Sequence, residues 1–147
     1  NSNHSYKLSG KSLVILPDND IAFKMAQLFS VRAKGEVYYL LKDSICNFYS
    51  NQIIQNSIQY TYNDINSLGL PRDIFVYKIR KHYFENIIDL NSNFSRFGAF
   101  LCLFSNSKVR MGFNYDNSKK YYNVILDSNY QLDLEGTFKM VQQFIKI

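Results

Sequence analysis

Short apolar runs broken by Asn-, Asp- and Ser-rich turns set the pattern of this chain. The run Tyr38-Tyr39-Leu40-Leu41-Lys42-Asp43-Ser44-Ile45-Cys46-Asn47-Phe48 turns over at Asp43-Ser44 and is followed by Ile58-Gln59-Tyr60-Thr61-Tyr62. In the latter, Ile58, Tyr60 and Tyr62 share one face with Gln59 and Thr61 opposite, the period of a half-buried strand. Residues 13–16 form a short apolar strand, stopped by the turn cluster Pro17-Asp18-Asn19-Asp20. Residues 21–32 fit a helical face through Ile21, Met25, Leu28 and Phe29, but the second half reads equally as strand and is assigned so. Further strands are expected over 36–41 and 45–49.

One long stretch has helical spacing. Leu70-Pro71-Arg72-Asp73 places a proline in a first turn, and Ile74, Tyr77, Lys81, Phe84 and Ile88 follow, predicting a helix over 72–88. The run 97–104 is almost continuously apolar and is expected to be a strand buried on both faces. Ser105-Asn106-Ser107 and Asp116-Asn117-Ser118-Lys119 then separate it from strand patterns over 109–115 and 121–126, so that three antiparallel strands form a meander. The tail, 137–147, fits a short helix or an unpaired strand.

Composition adds a single-domain size, with 147 residues, 46% hydrophobic and 20% charged. Twelve Tyr and twelve Phe supply core volume, while six Gly and two Pro leave the turns to Asn, Asp and Ser. The net charge of +5 is scattered, and its densest groups are Lys78-Ile79-Arg80-Lys81 and Lys119-Lys120. Gly10-Lys11-Ser12 looks like the end of a phosphate-binding loop, but Ser5 stands where the first glycine is needed. Cys46 and Cys102 read as two small buried hydrophobes, with a disulfide between them as the alternative. No apolar run approaches a membrane span. The segment Asn1-Ser2-Asn3-His4-Ser5 lacks the charge and apolar pattern of an export signal, so the chain is expected to be cytosolic or a trimmed piece. The sequons Asn3-His4-Ser5 and Asn93-Phe94-Ser95 matter only in a glycosylating pathway.

These segments resemble a family, the six-bladed β-propeller lipoproteins of Bacteroides-like bacteria. Asp43-Ser44-Ile45-Cys46 is similar to that family's Asp-Thr/Ser-Ile-Tyr strand, with Cys46 in place of Tyr. Ile53-Ile54-Gln55, Leu70-Pro71-Arg72-Asp73-Ile74 and Phe113-Asn114-Tyr115-Asp116 extend the likeness over 36–135, with Gln55 in place of Pro. The resemblance implies an all-β fold of antiparallel meander sheets with propeller-like blades and one inserted helix. It makes 1–147 a single domain or a fragment of about three blades of a larger ring. It also implies a cell-envelope location, with any membrane contact through a lipid anchor outside this chain, and self-association or a longer chain to close the ring.

A non-catalytic ligand-binding or protein-interaction module is the leading functional expectation, its ligand a carbohydrate or peptide. Tyr38, Tyr60, Tyr62, Tyr115, Tyr121 and Tyr122 form the pool of stacking residues, each also suited to core packing. No binding residue is assigned, and no catalytic residue, metal ligand or cofactor is expected. An enzyme of unknown class is one alternative. His4 and His82 are its only imidazole bases, and Asp43, Asp64, Asp73, Glu85, Asp89, Asp116, Asp127, Asp133 and Glu135 are spread singly at turns. Asp133 and Glu135 would share a strand face and could hold a cation. Nucleic-acid binding is the other alternative, through Arg110 beside Phe113 and Tyr115, or Lys119-Lys120 before Tyr121-Tyr122.

Overall fold

The computed structural model describes residues 10–17, 19–127 and 133–147. His4, the sequon Asn3-His4-Ser5 and Asp18 of the first turn cluster lie outside the described residues. Among the described residues six strands form one sheet: β1 (Ser12–Ile15), β2 (Val37–Lys42), β3 (Ser57–Tyr60), β4 (Asn86–Asp89), β5 (Val109–Phe113) and β6 (Val124–Leu126). The order is β3-β2-β1-β4-β5-β6, and every pairing is parallel. Among the same described residues five α-helices accompany it: α1 (Ile21–Arg32), α2 (Asn51–Gln55), α3 (Asp73–Arg80), α4 (Arg96–Phe104) and α5 (Leu134–Gln142).

The central strands β1 and β4 are buried on both faces, as fits a parallel sheet whose crossover helices cover both sides. Leu13, Ile15, Leu40 and Ile87 face a layer made by Phe75, Val76 and Ile79 of α3 with Phe97, Leu101 and Cys102 of α4. Val14, Tyr39, Leu41, Ile88, Met111 and Phe113 face the opposite layer, built from Ala22, Met25, Ala26 and Phe29 of α1, Ile53 of α2, and Phe138 and Val141 of α5. Across this second layer Phe29 meets Phe138 edge-on, with ring centroids 4.9 Å apart.

The all-β expectation is therefore corrected to a doubly wound α/β fold, and the propeller-like blades and the three-blade fragment go with it. The run 97–104 is helix α4, capped by the Ser95 hydroxyl, which accepts from the Gly98 N–H at 3.1 Å. Its apolar sequence is continuous because the sheet buries one side and Tyr121 covers Phe100 on another, and periodicity alone does not separate such a helix from a buried strand. The segment 21–32 is helical throughout. The expected strand over 45–49 is 3-10 turn, and the expected helix over 72–88 stops at Arg80, after which 86–89 becomes the central strand β4. Strands at 13–16, 36–41, 58–62 and 109–115 coincide with β1, β2, β3 and β5, but as crossover-linked parallel neighbours rather than meander strands.

The first and last helices are tied by one ion pair. Arg32, in the last turn of α1, donates from Nη1 and Nη2 to Glu135 of the first turn of α5 at 2.6 and 2.7 Å. Both side chains are about half exposed (44% and 51%), so solvent screens the pair. Arg32→Ala is expected to lower stability by less than about 1 kcal/mol in urea unfolding.

Candidate functional site

In an open parallel sheet, ligands bind outside the C-terminal ends of the strands, at the point where the order reverses. Here the reversal falls between β1 and β4, whose following helices pack on opposite faces. The turn after β1 has no glycine. Its Asn19 side chain accepts from the Ile21 N–H at 3.1 Å, and the Asp20 carboxylate stands at the helix start, so the first turn of α1 is poorly suited to an anion.

The β4 and β5 ends carry more structure. Asp89 is the last residue of β4 and is buried at 2% exposure. Its Oδ1 accepts from the Asn91 backbone N–H at 3.0 Å and from Asn91 Nδ2 at 2.7 Å, and its Oδ2 accepts from the Tyr122 hydroxyl at 2.7 Å. The Tyr115 hydroxyl in turn donates to the Asn91 carbonyl. Two glycines make room for this network. Gly112 sits in register with Asp89, and a Cβ there would lie 2.3 Å from the Tyr122 ring. A Cβ on Gly98 would lie 2.7 Å from Asp89 Oδ2. Burial pushes the Asp89 carboxyl above its ordinary range, against the pull of hydrogen bonds from Tyr122 and Asn91. Burial also raises the phenols of Tyr122 and Tyr115, with the Asp89 charge adding to the shift in both.

This buried network clamps the loop after β4 to the loop after β5. Above it, Phe94, Tyr115, Asp116, Asn117 and Tyr121 line an open depression of about 530 Å³. A neighbouring one of about 530 Å³ shares Tyr115 and Asn117 and is edged by Asn114, Lys119 and Lys120. Phe94 meets Tyr115 edge-on at 6.0 Å and Tyr121 at 5.6 Å, giving an aromatic wall. The β5 loop is built by Ser118, which is buried, accepts from the Tyr115 N–H at 2.6 Å and donates to the Phe113 carbonyl at 2.9 Å. Asn117 adopts a left-handed conformation (φ 65°), which an asparagine tolerates, and this places its exposed amide on the rim.

The other residues singled out by sequence are dispersed. Among the tyrosines, Tyr122 is in the network and Tyr115 and Tyr121 are in the depression. Tyr60 stacks on Phe97 at 4.7 Å, and Tyr62 is exposed with Lys42 Nζ 4.5 Å from its ring. Tyr38 sits on β2, its hydroxyl donating to Glu36 at 3.0 Å. His82 is half-buried just beyond α3, stacked on Phe84 at 5.2 Å, and burial together with Lys11, Lys78 and Lys81 lowers its pKa. Asp64 closes a capping box with Thr61, and Asp73 lies in the first turn of α3. Asp133 caps α5 by accepting from the Gly136 N–H at 2.9 Å, while Glu135 pairs with Arg32, so the expected shared strand face is a helix start. Among the described residues no group of three or more His, Cys, Asp or Glu side chains is placed to hold a metal. Both cysteines are free, Cys46 packing with one core layer and Cys102 lying in the other. Phe113, Tyr121 and Tyr122, expected beside cations on an open sheet face, are core residues, Tyr121 at 7% exposure where it lines the depression. Arg110 donates from Nε to the Tyr121 carbonyl at 3.0 Å.

Sequence reasoning passed over Asn91, Phe94 and Asn117 and treated Asp89 as one turn acid among nine. The available signal was a carboxylate directly after Ile87-Ile88, followed by an asparagine two residues on. No protein-family model matches the chain, and no curated protein or solved structure matches it.

Proposed function

We propose that this chain is a ligand-binding α/β domain that takes a carbohydrate at the C-terminal edge of its sheet, against Tyr115. The observation that carries the reading is the depression walled by Phe94, Tyr115 and Tyr121 and rimmed by the polar side chains of Asp116 and Asn117. A sugar ring has apolar C–H faces and a belt of hydroxyls. Aromatic rings cover the former, while carboxylates and side-chain amides accept from and donate to the latter. The rigid clamp beneath, Asp89 with Asn91, Tyr115 and Tyr122, holds the wall in place before a ligand arrives, which lowers the ordering cost of binding. The strand order supports the C-terminal edge by analogy of fold alone, and the depression lies one strand beyond the β1–β4 reversal, between the ends of β4 and β5.

The test is saturation-transfer NMR of the chain with a panel of mono- and disaccharides, repeated with Phe94→Ala. Phe94 is 42% exposed, so the variant is expected to keep its fold. Loss of one aromatic contact is expected to weaken binding by about tenfold. Absence of any saccharide signal, or equal binding by Phe94→Ala, contradicts the reading. A second reading, an enzyme acting on a nucleotide-linked sugar, is favoured by the strand order, which open parallel sheets use for nucleotides. Competition of the saccharide signal by a nucleoside diphosphate would favour it.

A further inference from the structure

The outward side of α3 carries apolar and cationic residues together. Its inward stripe, Phe75, Val76 and Ile79, is buried against the sheet. The opposite stripe, at spacings of three and four, is Ile74, Tyr77, Lys78 and Lys81. Ile74 is 83% exposed and Tyr77 63% exposed, and Tyr83, just past the helix in a left-handed conformation (φ 55°), is 86% exposed. The Lys81 ammonium rests 5.0 Å from the Tyr77 ring centroid, and no described carboxylate pairs with Lys78 or Lys81. Arg72, at the start of the helix, is exposed as well. Asp73 is the one carboxylate within the helix.

We propose that this face of α3 docks on an anionic phospholipid surface, with Ile74 and Tyr77 entering the headgroup region and Lys78 and Lys81 meeting the lipid phosphates. Charge complementarity selects this occupant. Lysine is depleted in the cores of protein interfaces, where its hydration is lost. At a membrane surface its long stem lies along apolar groups while its ammonium stays among the headgroups. Tyrosine suits the same boundary, with an apolar ring and a wet hydroxyl. Lys78 and Lys81 of that basic group thereby share one exposed face with Ile74 and Tyr77, while the intervening Ile79 is buried against the sheet.

The experiment is co-sedimentation of the chain with vesicles of phosphatidylcholine alone and of an equal mixture of phosphatidylcholine and phosphatidylglycerol. It is run for wild type, Lys78→Glu/Lys81→Glu and Ile74→Ser/Tyr77→Ser, each shown by circular dichroism to keep the fold. Wild type is expected to sediment with the mixed vesicles and to be released by salt. At roughly fivefold in partitioning per cation, removing two is expected to reduce binding more than tenfold, and reversing them further. The Ile74/Tyr77 variant is expected to lose binding by at least tenfold while keeping its charge. Equal binding to neutral vesicles, wild-type binding by either double variant, or binding to a nucleic-acid duplex with none to vesicles overturns the proposal.

Discussion

Gly112→Ala is expected to cost about 3 kcal/mol in urea unfolding, although alanine is intrinsically better than glycine within a strand by roughly 0.5–1 kcal/mol. The position decides the sign. The added methyl would fall 2.3–2.6 Å from three carbons of the Tyr122 ring, and Tyr122 is buried at 2% exposure with its hydroxyl held by Asp89. If the ring shifts, its hydroxyl leaves Asp89 Oδ2 and a buried carboxylate loses a donor, a loss of about 1–3 kcal/mol by itself. A variant within about 0.5 kcal/mol of wild type would show that the ring does not lie over Gly112.

Tyr122→Phe and Asp89→Asn are expected to separate the hydrogen bond from the charge. Burial places the native Asp89 carboxyl above its ordinary value of 3.8, so the folded chain holds this proton more tightly than the unfolded chain. The contribution of this group to stability therefore falls as pH rises from near the unfolded value through the raised native one, and is flat above it. Tyr122→Phe removes a donor to the charged form and raises the native value further. Its expected cost is about 2 kcal/mol at neutral pH and less once the carboxyl is protonated. Asp89→Asn keeps the shape, still accepts from the Asn91 N–H and removes the buried charge. It is expected to hold or raise neutral-pH stability and to flatten the slope. Urea unfolding of the three proteins from about pH 4 to pH 8 distinguishes these outcomes. A steeper slope in Asp89→Asn than in wild type would contradict the assignment.

Much of the strand content was legible in the sequence, and the way the strands pair was not. Residues 13–16, 36–41 and 109–115 show strand composition plainly, but an apolar run says nothing of whether its neighbour returns by a hairpin or arrives by a crossover. The decisive evidence lay in the connections, and there the helices were disguised. Val31 of α1 is 77% exposed and imitates the apolar pattern of a strand. Helix α4 is packed by the sheet on one side and by Tyr121 beside Phe100 on another, so its periodicity is blurred. Strand β4 was hidden because Phe84 and Ile88 happen to continue the spacing of α3. With β4 merged into a helix, the sheet lost its centre, and the remaining strands could only be arranged as meanders. The resemblance to propeller lipoproteins rested on those same strand-and-turn segments, and it falls with the antiparallel pairing.

The candidate site followed the fold out of reach. Tyr115, Tyr121 and Tyr122 were in the pool of stacking residues, but their separate roles depend on the parallel register of Asp89 with Gly112. That register brings Tyr122 to the buried carboxylate and leaves Tyr115 and Tyr121 lining the depression. Phe94 and Asn91 come from the loop after β4, a segment that the sequence reading placed beyond the end of a helix.

Amide chemical-shift mapping of the labelled chain, during titration with the tightest-binding saccharide of the panel, reads out whether ligand binds at the C-terminal ends of β4 and β5. Shifts confined to Asn91, Phe94 and 114–121 are expected, with no response at α3 or around Tyr38. Shifts centred on α3 or around Tyr38, or spread evenly over the sheet, would contradict it.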